Sequence, residues 1–253
     1  PDAAEVTWEQ QGLAGAQPGS GVYIADVCPS FTAHLRTHFT LEEKFAPFTA
    51  SILVHDEEFG GQAATEIEAI LRRYRIPLHE DIILAFGRAA PIKGFEVVIP
   101  ALEAIRERCH FVLVSVPYYA DEPQQYLYDR LLAEHGIRAT HIKHFTRELP
   151  RALCQWPRTK MVVMPSQQET FSNIFLEVAL WAQHGGPVAV ASRVGGFIDQ
   201  IEPGITGFFL DLASRDAMMH TLQRVLDLPA ESHATIRRQA YERVVQQYDF
   251  RQN

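Results

Sequence analysis

The stretch PSQQETFSNIFLEVAL (165–180) carries two carboxylates, Glu169 and Glu177, with seven residues between them. Glu169 stands in a polar segment with Thr170 and Phe171. Glu177 stands in the run Asn-Ile-Phe-Leu-Glu-Val-Ala-Leu, where an apolar residue would pack better. Two readings follow. Glu177 is a favourable charge on the solvated face of a helix, close to its amino end, or the start of that helix is a binding surface. A carboxylate accepts hydrogen bonds from two vicinal hydroxyls, the pair that a sugar ring or a ribose offers. Ser172 or Asn173 can cap the helix, and free amides at its start can donate to the same ligand.

A second such stretch is FGRAAPIKGF (86–95). Gly87 lets the backbone turn sharply. Arg88 and Lys93, both expected to be exposed, flank a loop that opens a helix. Two cations beside a helix amino end make a cradle for a diphosphate; an ordinary solvated loop is the plainer reading of each. The stretch is neither a dinucleotide fingerprint nor a P-loop. A third is SRVGGFIDQIEPGITGFFLD (192–211). Its Gly195 and Gly196 either make a turn or let a ligand approach the backbone closely, and Gly204 and Gly207 read as turn formers. PYYADEP (117–123) lacks a small-residue turn, so no part of the site is built on it.

These residues need elements to hold them. Apolar runs at 82–86, 110–116, 139–142, 161–164, 187–191 and 207–210 read as strands, with helical periodicity between several of them. Continuous apolar strands alternating with amphipathic helices imply an α/β fold, a doubly wound, Rossmann-like parallel sheet covered on both faces. Ligands of such sheets sit outside the carboxyl ends of the strands, which is where the three stretches fall. Pro100 should bend the helix after the second stretch or mark its first turns. EAILRRYRI (68–76) reads as a lead-in helix. VYIADV (22–27) and ASILV (50–54) look like earlier strands with a short helix, FTAHLRTHF (31–39), between them. The first 21 residues, rich in Gly, Ala, Gln and Pro, read as linker. We therefore divide the chain into residues 1–60, linker and remnant of a preceding domain, and residues 61–253, the Rossmann-like domain.

The composition bounds the function. The chain has 253 residues, 47% hydrophobic and 21% charged, enough for a packed core. A formal net charge of -8 argues against nucleic acid as the main partner. It leaves room for a small phosphate ligand, which needs only one or two local cations. Cys28, Cys109 and Cys154 lie without paired spacing, so neither a disulfide framework nor a zinc site is expected and a reducing compartment fits. No apolar run approaches the ~18 residues of a membrane span and no signal peptide opens the chain. The expected location is cytoplasmic, with peripheral contact at the inner face of a membrane left open.

Taken in order, FGRAAPIKGFEVVIPAL, PSQQETFSNIFLEVAL and ASRVGGFIDQIEPGITGFFLD resemble the carboxyl-terminal domain of retaining nucleotide-sugar glycosyltransferases of the GT-B architecture, over about residues 51–250. Glu169 and Glu177 match the paired-glutamate motif of that group, E-x7-E. The resemblance implies a nucleoside-diphosphate sugar as donor, a saccharide or lipid-linked acceptor, and transfer of a hexosyl-type sugar. It implies that Arg88 and Lys93, with the turn at Gly87, hold the diphosphate and stabilise the leaving nucleotide. Glu169 would bind hydroxyls of the transferred sugar, with amides of Phe171, Ser172, Asn173 and Ile174 and the Thr170 loop on donor oxygens. Glu177 would take the ribose hydroxyls, His144 and Phe145 would lie beside the base, and Gly195–Gly196 would approach the donor. No DxD motif is present, so no metal and no other cofactor is expected. HDEEF (55–59) falls in the interdomain segment and reads as solvated linker. Ser172 stands where the group has Gly, which narrows the donor pocket; Ile198–Asp199 stands where it has Pro-Glu. An acceptor-binding domain of about 150 residues is expected outside this chain. The chain then reads as a fragment, and a non-catalytic nucleotide-sugar-binding module is the alternative. A sugar-nucleotide epimerase of the same architecture fits less well, since its carboxylates and histidine should span two domains.

Overall fold

The computed structural model describes residues 24–25, 28–30, 33, 45–46, 52, 54 and 57–251. Strands β1 (Ile24–Ala25) and β2 (Phe45–Ala46) form a short parallel pair. The main sheet contains β3 (Asp81–Arg88), β4 (Cys109–Val116), β5 (Ala139–Ile142), β6 (Thr159–Met164), β7 (Val188–Ser192) and β8 (Phe208–Leu210). All neighbours are parallel, in the order β5-β4-β3-β6-β7-β8. The chain winds outward from β3 to β5, then returns to β6 and winds outward the other way. The reversal between β3 and β6 opens a crevice at their carboxyl ends.

Consecutive apolar residues become strands here because each strand feeds two cores. Ile82, Leu84, Val112, Val114, Val162 and Met164 point to one. Ile83, Ala85, Phe111, Leu113, Met161 and Val163 point to the other. The first core is closed by α1 (Ala64–Arg73), α4 (Glu148–Gln155) and α5 (Asn173–Ala182). The second is closed by α2 (Phe95–Val98), its continuation Ile99–Ile105, α3 (Pro123–Glu134) and α7 (Arg215–Leu226). A short α6 (Gly196–Gln200) precedes β8, and the last helix, α8 (Ala230–Tyr248), follows α7 and serves both cores: Ile236 joins the second, and Ala240, Val244 and Tyr248 join the first. Among the described residues no helix is long and apolar enough to cross a membrane.

Several expectations change. Gly87 makes no sharp turn: β3 continues through Gly87 and Arg88, which pair with Ser115 and Val116. The turn comes at the 3-10 segment Pro91–Lys93 and at Gly94, whose φ is 66°. Pro100 does mark a first turn, as expected: it opens Ile99–Ile105, where α2 gives way after Val98 to 3-10 geometry, because proline offers no N–H to the preceding turn. HDEEF is not simply solvated: Glu57–Phe59 is a 3-10 turn, Phe59 is buried, and its ring lies 6.0 Å from that of Trp181. Of ASILV only Ile52 and Val54 are described, and Ile52 forms an isolated parallel bridge to Asp249, beside the end of α8; the rest of that expected strand lies outside the described residues. The linker reading of residues 1–21, most of VYIADV and all of FTAHLRTHF but residue 33 lie outside the described residues.

Gly94 and Gly136 share a left-handed backbone but not their surroundings. A Cβ on Gly94 would fall 2.1 Å from the carbonyl oxygen of Pro165, whereas one on Gly136 would meet only the tip of Arg106, at 3.5 Å. Gly136→Ala should therefore lose about 1 kcal/mol of stability, the conformational term alone, and Gly94→Ala about 3 kcal/mol. Urea unfolding of both variants checks this, and equal losses would show that lack of a side chain does not govern the approach to Pro165.

Candidate functional site

The carboxyl ends of β3 and β4, with the segments after β3, β5 and β6 and the start of α5, enclose a cavity of about 390 Å³ at the reversal point. The β3 loop is stitched to the β6 loop. Gln167 donates its backbone N–H to Ile92 O at 2.8 Å and its side-chain amide to Pro91 O at 3.1 Å. Gly94 lets the same two loops touch at Pro165. Lys93 is thereby brought to Glu169, with Nζ 2.7 Å from Oε2. Ser166 Oγ also donates to that oxygen, at 3.5 Å. Lys93 is not the exposed cation expected: its side chain is 14% exposed and that of Glu169 13%. A charge so withdrawn from water needs a counter-charge, and each supplies the other's.

Arg88 is exposed, at the end of β3. Its guanidinium lies 5.1 Å over the ring of Tyr118 and donates to the Tyr118 hydroxyl. PYYADEP, on which no part of the site was expected, thus touches one of the cations of the cavity. Gly87 lines the cavity from within the strand.

Ser172 is the cap of α5, accepting from Phe175 N–H at 3.3 Å, and Asn173 is the first helical residue. Phe171, Ser172, Asn173 and Ile174 line the cavity beside Lys93 and Glu169. Glu177 lines it one turn further along α5, its side chain 20% exposed. Arg147 donates to Glu177 Oε1 at 3.4 Å and also to Glu58. Burial pushes the Glu177 carboxyl above its ordinary value of 4.5; the Arg147 guanidinium opposes this and the Glu58 carboxylate adds to it.

Other expected residues fall differently. Phe145 lines the cavity and is 70% exposed, while His144 is outside the lining and stacks on Tyr74, ring centroids 6.3 Å apart. Thr170 lies off the cavity, its carbonyl accepting from the Cys28 thiol at 3.0 Å. Gly195 and Gly196 do permit a close backbone approach, and the backbone they admit is the protein's own. A Cβ on Gly195 would fall 1.4 Å from the carbonyl oxygen of Glu169, and one on Gly196 would fall 2.7 Å from that of Thr170. Gly196 N–H donates to Glu169 O at 3.2 Å. Asp199 accepts from the backbone N–H and the hydroxyl of Ser30, at 2.9 and 2.8 Å.

The cavity also uses Tyr118, Arg147, Pro150 and Trp181, by lining it or holding its residues, none of which sequence reasoning picked out. Arg147 is the cap residue of α4 and Pro150 lies in its first turn, in a helix too short for its period to stand out. Trp181 follows Glu177 by four positions, so it shares a helix face with it, a signal that was available.

The family model for glycosyl transferases group 1 matches residues 66–243. Among curated proteins, the D-inositol 3-phosphate glycosyltransferase of Corynebacterium glutamicum (strain R) is 28% identical over 176 residues, 66% of this chain and 40% of that protein. The lipopolysaccharide 1,2-N-acetylglucosaminetransferase of Salmonella typhimurium is 27% identical over 162 residues, 61% and 42% of the two. The chain spans about two fifths of the length of the curated relatives it matches. In fold it is similar to sucrose-phosphate synthase from Thermosynechococcus elongatus, with a TM-score of 0.79 and 20% identity over 99% of this chain and 59% of that one. It is similar also to HepE of Anabaena, solved in complex with UDP-glucose, with a TM-score of 0.77 and 18% identity over 97% and 65%. These structural likenesses establish the α/β fold of the GT-B carboxyl-terminal domain.

The position of Glu177 has a measurable cost. Its folded-state pKa is raised, so the folded protein holds that proton more tightly than the unfolded chain. The penalty is full above both pKa values and absent below the ordinary carboxylate range. Glu177→Gln should raise the unfolding free energy at neutral pH by about 0.5–1 kcal/mol, and the gain should fade as pH falls through that range. Denaturant melts at neutral and acidic pH measure it; a destabilised variant at neutral pH, or a gain indifferent to pH, would contradict the assignment.

Proposed function

Because the chain belongs to the glycosyl transferases group 1 family, we propose that its cavity holds a nucleoside-diphosphate sugar and that the hexosyl group passes, with retained configuration, to a saccharide or glycolipid acceptor. The observation that carries this is the set of groups gathered on one cavity: the cations Arg88 and Lys93, Glu169 with its carboxylate 2.7 Å from Lys93, the start of α5, Glu177 and Phe145. The donor is an extended ligand with charges and hydroxyls, and this lining offers cations for the one and carboxylates for the other. Structures of HepE with UDP and glucose and with UDP-glucose support a nucleotide sugar as the ligand class and make UDP-glucose the first donor to test.

In the transfer, the bond between the anomeric carbon and the diphosphate oxygen breaks, and its electron pair stays on that oxygen. The acceptor oxygen bonds to the same carbon on the face that the diphosphate leaves, and the acceptor proton passes to the departing diphosphate. Arg88 and Lys93 stabilise the charge that develops on the leaving group, in a site fixed before the reaction begins. Glu169 accepts from hydroxyls of the transferred sugar and Glu177 from the ribose; neither needs to act as a covalent nucleophile. The lone amides of the α5 start add donors without a formal charge. Cations and helix amides supply what a divalent ion would, so donor binding is expected to be independent of metal.

Calorimetric titration with UDP and UDP-glucose tests the assignment. Arg88→Ala and Lys93→Ala should each weaken UDP by about 1.5–3 kcal/mol, and unchanged affinity in both would remove the diphosphate from this end. Glu169→Gln should weaken UDP-glucose while leaving UDP equal or tighter, because Lys93 is then released from its carboxylate partner. Glu177→Gln should weaken both ligands alike. Chelator should leave UDP affinity intact; a loss restored by Mg²⁺ would refute metal independence.

A further inference from the structure

The Glu177 end of the cavity is braced by a segment that does not line it. Residues 58–62 are tied down by side chains of α4, of α5 and of the turn that follows α5. The Glu58 carbonyl accepts from Trp181 Nε1–H at 3.2 Å, and that of Phe59 from His184 Nε2, also at 3.2 Å. Arg151 and Gln155 both donate to the Gly60 carbonyl, each at 3.2 Å, and Gln155 Oε1 accepts from Gln62 N–H at 2.7 Å. Phe59 is buried, its ring beside Trp181. With the backbone held at so many points, the root of the Glu58 side chain has a fixed place.

That side chain reaches the cavity through one intermediary. Arg147 Nε donates to Glu58 Oε1, and Arg147 Nη2 donates to Glu177 Oε1 at 3.4 Å. Arg147 and Glu177 line the cavity, whereas Glu58 is outside the lining. A planar guanidinium can serve two carboxylates at once, because its N–H groups point in fixed and different directions. Here it lies between two like charges and keeps both in place. Without Glu58 the guanidinium has two ways to move, and both harm Glu177 as an acceptor. If it turns to water, Glu177 loses its counter-charge. If it closes on Glu177, it occupies the carboxylate that hydroxyls would use.

We propose that Arg147 and Glu58 are positioning residues for the nucleotide: Glu58 holds Arg147, and Arg147 holds the Glu177 carboxylate in the orientation that receives the two ribose hydroxyls. The proposal rests on the donor reading above, in which Glu177 takes the ribose. It makes the turn Glu57–Phe59 part of the nucleotide site, although that turn precedes the main sheet in sequence and stands outside the cavity.

Calorimetric titration of the whole chain with UDP, ADP and GDP selects the nucleotide bound most tightly. That nucleotide is then compared with its 2′,3′-dideoxy form, which keeps the base and the diphosphate and lacks both ribose hydroxyls. Arg147→Gln should weaken the ribonucleotide about tenfold and Glu58→Gln about fivefold. The double variant should lose no more than Arg147→Gln alone, since Glu58 acts through Arg147. The dideoxy form should bind the unmodified chain and all three variants within about twofold of one affinity, which also shows that the fold and the rest of the cavity are intact. Equal weakening of the two nucleotide forms would overturn the proposal, because Arg147 would then act on the base or the diphosphate. Ribonucleotide affinity unchanged in both single variants, or losses that add in the double variant, would overturn it too, and each leaves the donor reading standing. If none of the three nucleotides binds the unmodified chain, the donor reading falls and this one with it.

Discussion

Everything in the cavity depends on main chain touching main chain around the loop that follows β6. On one side Gly94 lies against the Pro165 carbonyl; on the other Gly195 lies against the carbonyl of Glu169. Neither approach leaves room for a side chain. The hydrogen bonds from Gln167 to Ile92 and from Gly196 to Glu169 close at the same two places. Held from both sides, the loop has one course open to it. It sets Glu169 against Lys93 and delivers Ser172 to the amino end of α5. The position of Glu177 then follows from helical geometry.

The charges at the site are arranged before any ligand arrives. Lys93 has Glu169, Arg88 has Tyr118, and Arg147 lies between Glu58 and Glu177. Such pairing makes withdrawn charges tolerable, and it means that a ligand enters by exchanging partners rather than by filling a vacancy. Glu177 remains under-compensated, as its raised pKa shows. A residue kept against its own solvation is a common mark of a binding position.

Much of this was legible in the sequence because it rests on local chemistry. The main strands follow from unbroken apolar runs, and the two glutamates and two cations follow from their spacing around them. What escaped is mostly tertiary. Nothing near Gly195 announces that its partner is the backbone of residue 169, and nothing near Lys93 announces that a carboxylate will bury it. Tyr118 sits in a loop whose only local signal is the absence of small residues, yet parallel pairing of β3 with β4 carries it to Arg88. α4 has a strongly one-sided face but only eight residues (Glu148–Gln155), too few for a period to be read with force. Gly87 was misplaced because a glycine after an apolar run resembles a turn; here strand pairing continues through it.

The reversal of winding between β3 and β6 has a kinetic side. The strands β3, β4 and β5 are contiguous in sequence, as are β6, β7 and β8, so each half can gather through contacts between sequence neighbours. Joining them requires β3 to meet β6 across the whole intervening chain, a closure that is slow in parallel sheets. The cavity lies on that seam, with Lys93 from one half and Glu169 from the other. A chain with only one half assembled has no cavity for a ligand to stabilise. A ligand held between Lys93 of one half and Glu169 of the other would tie the two halves together across that seam and so slow their separation.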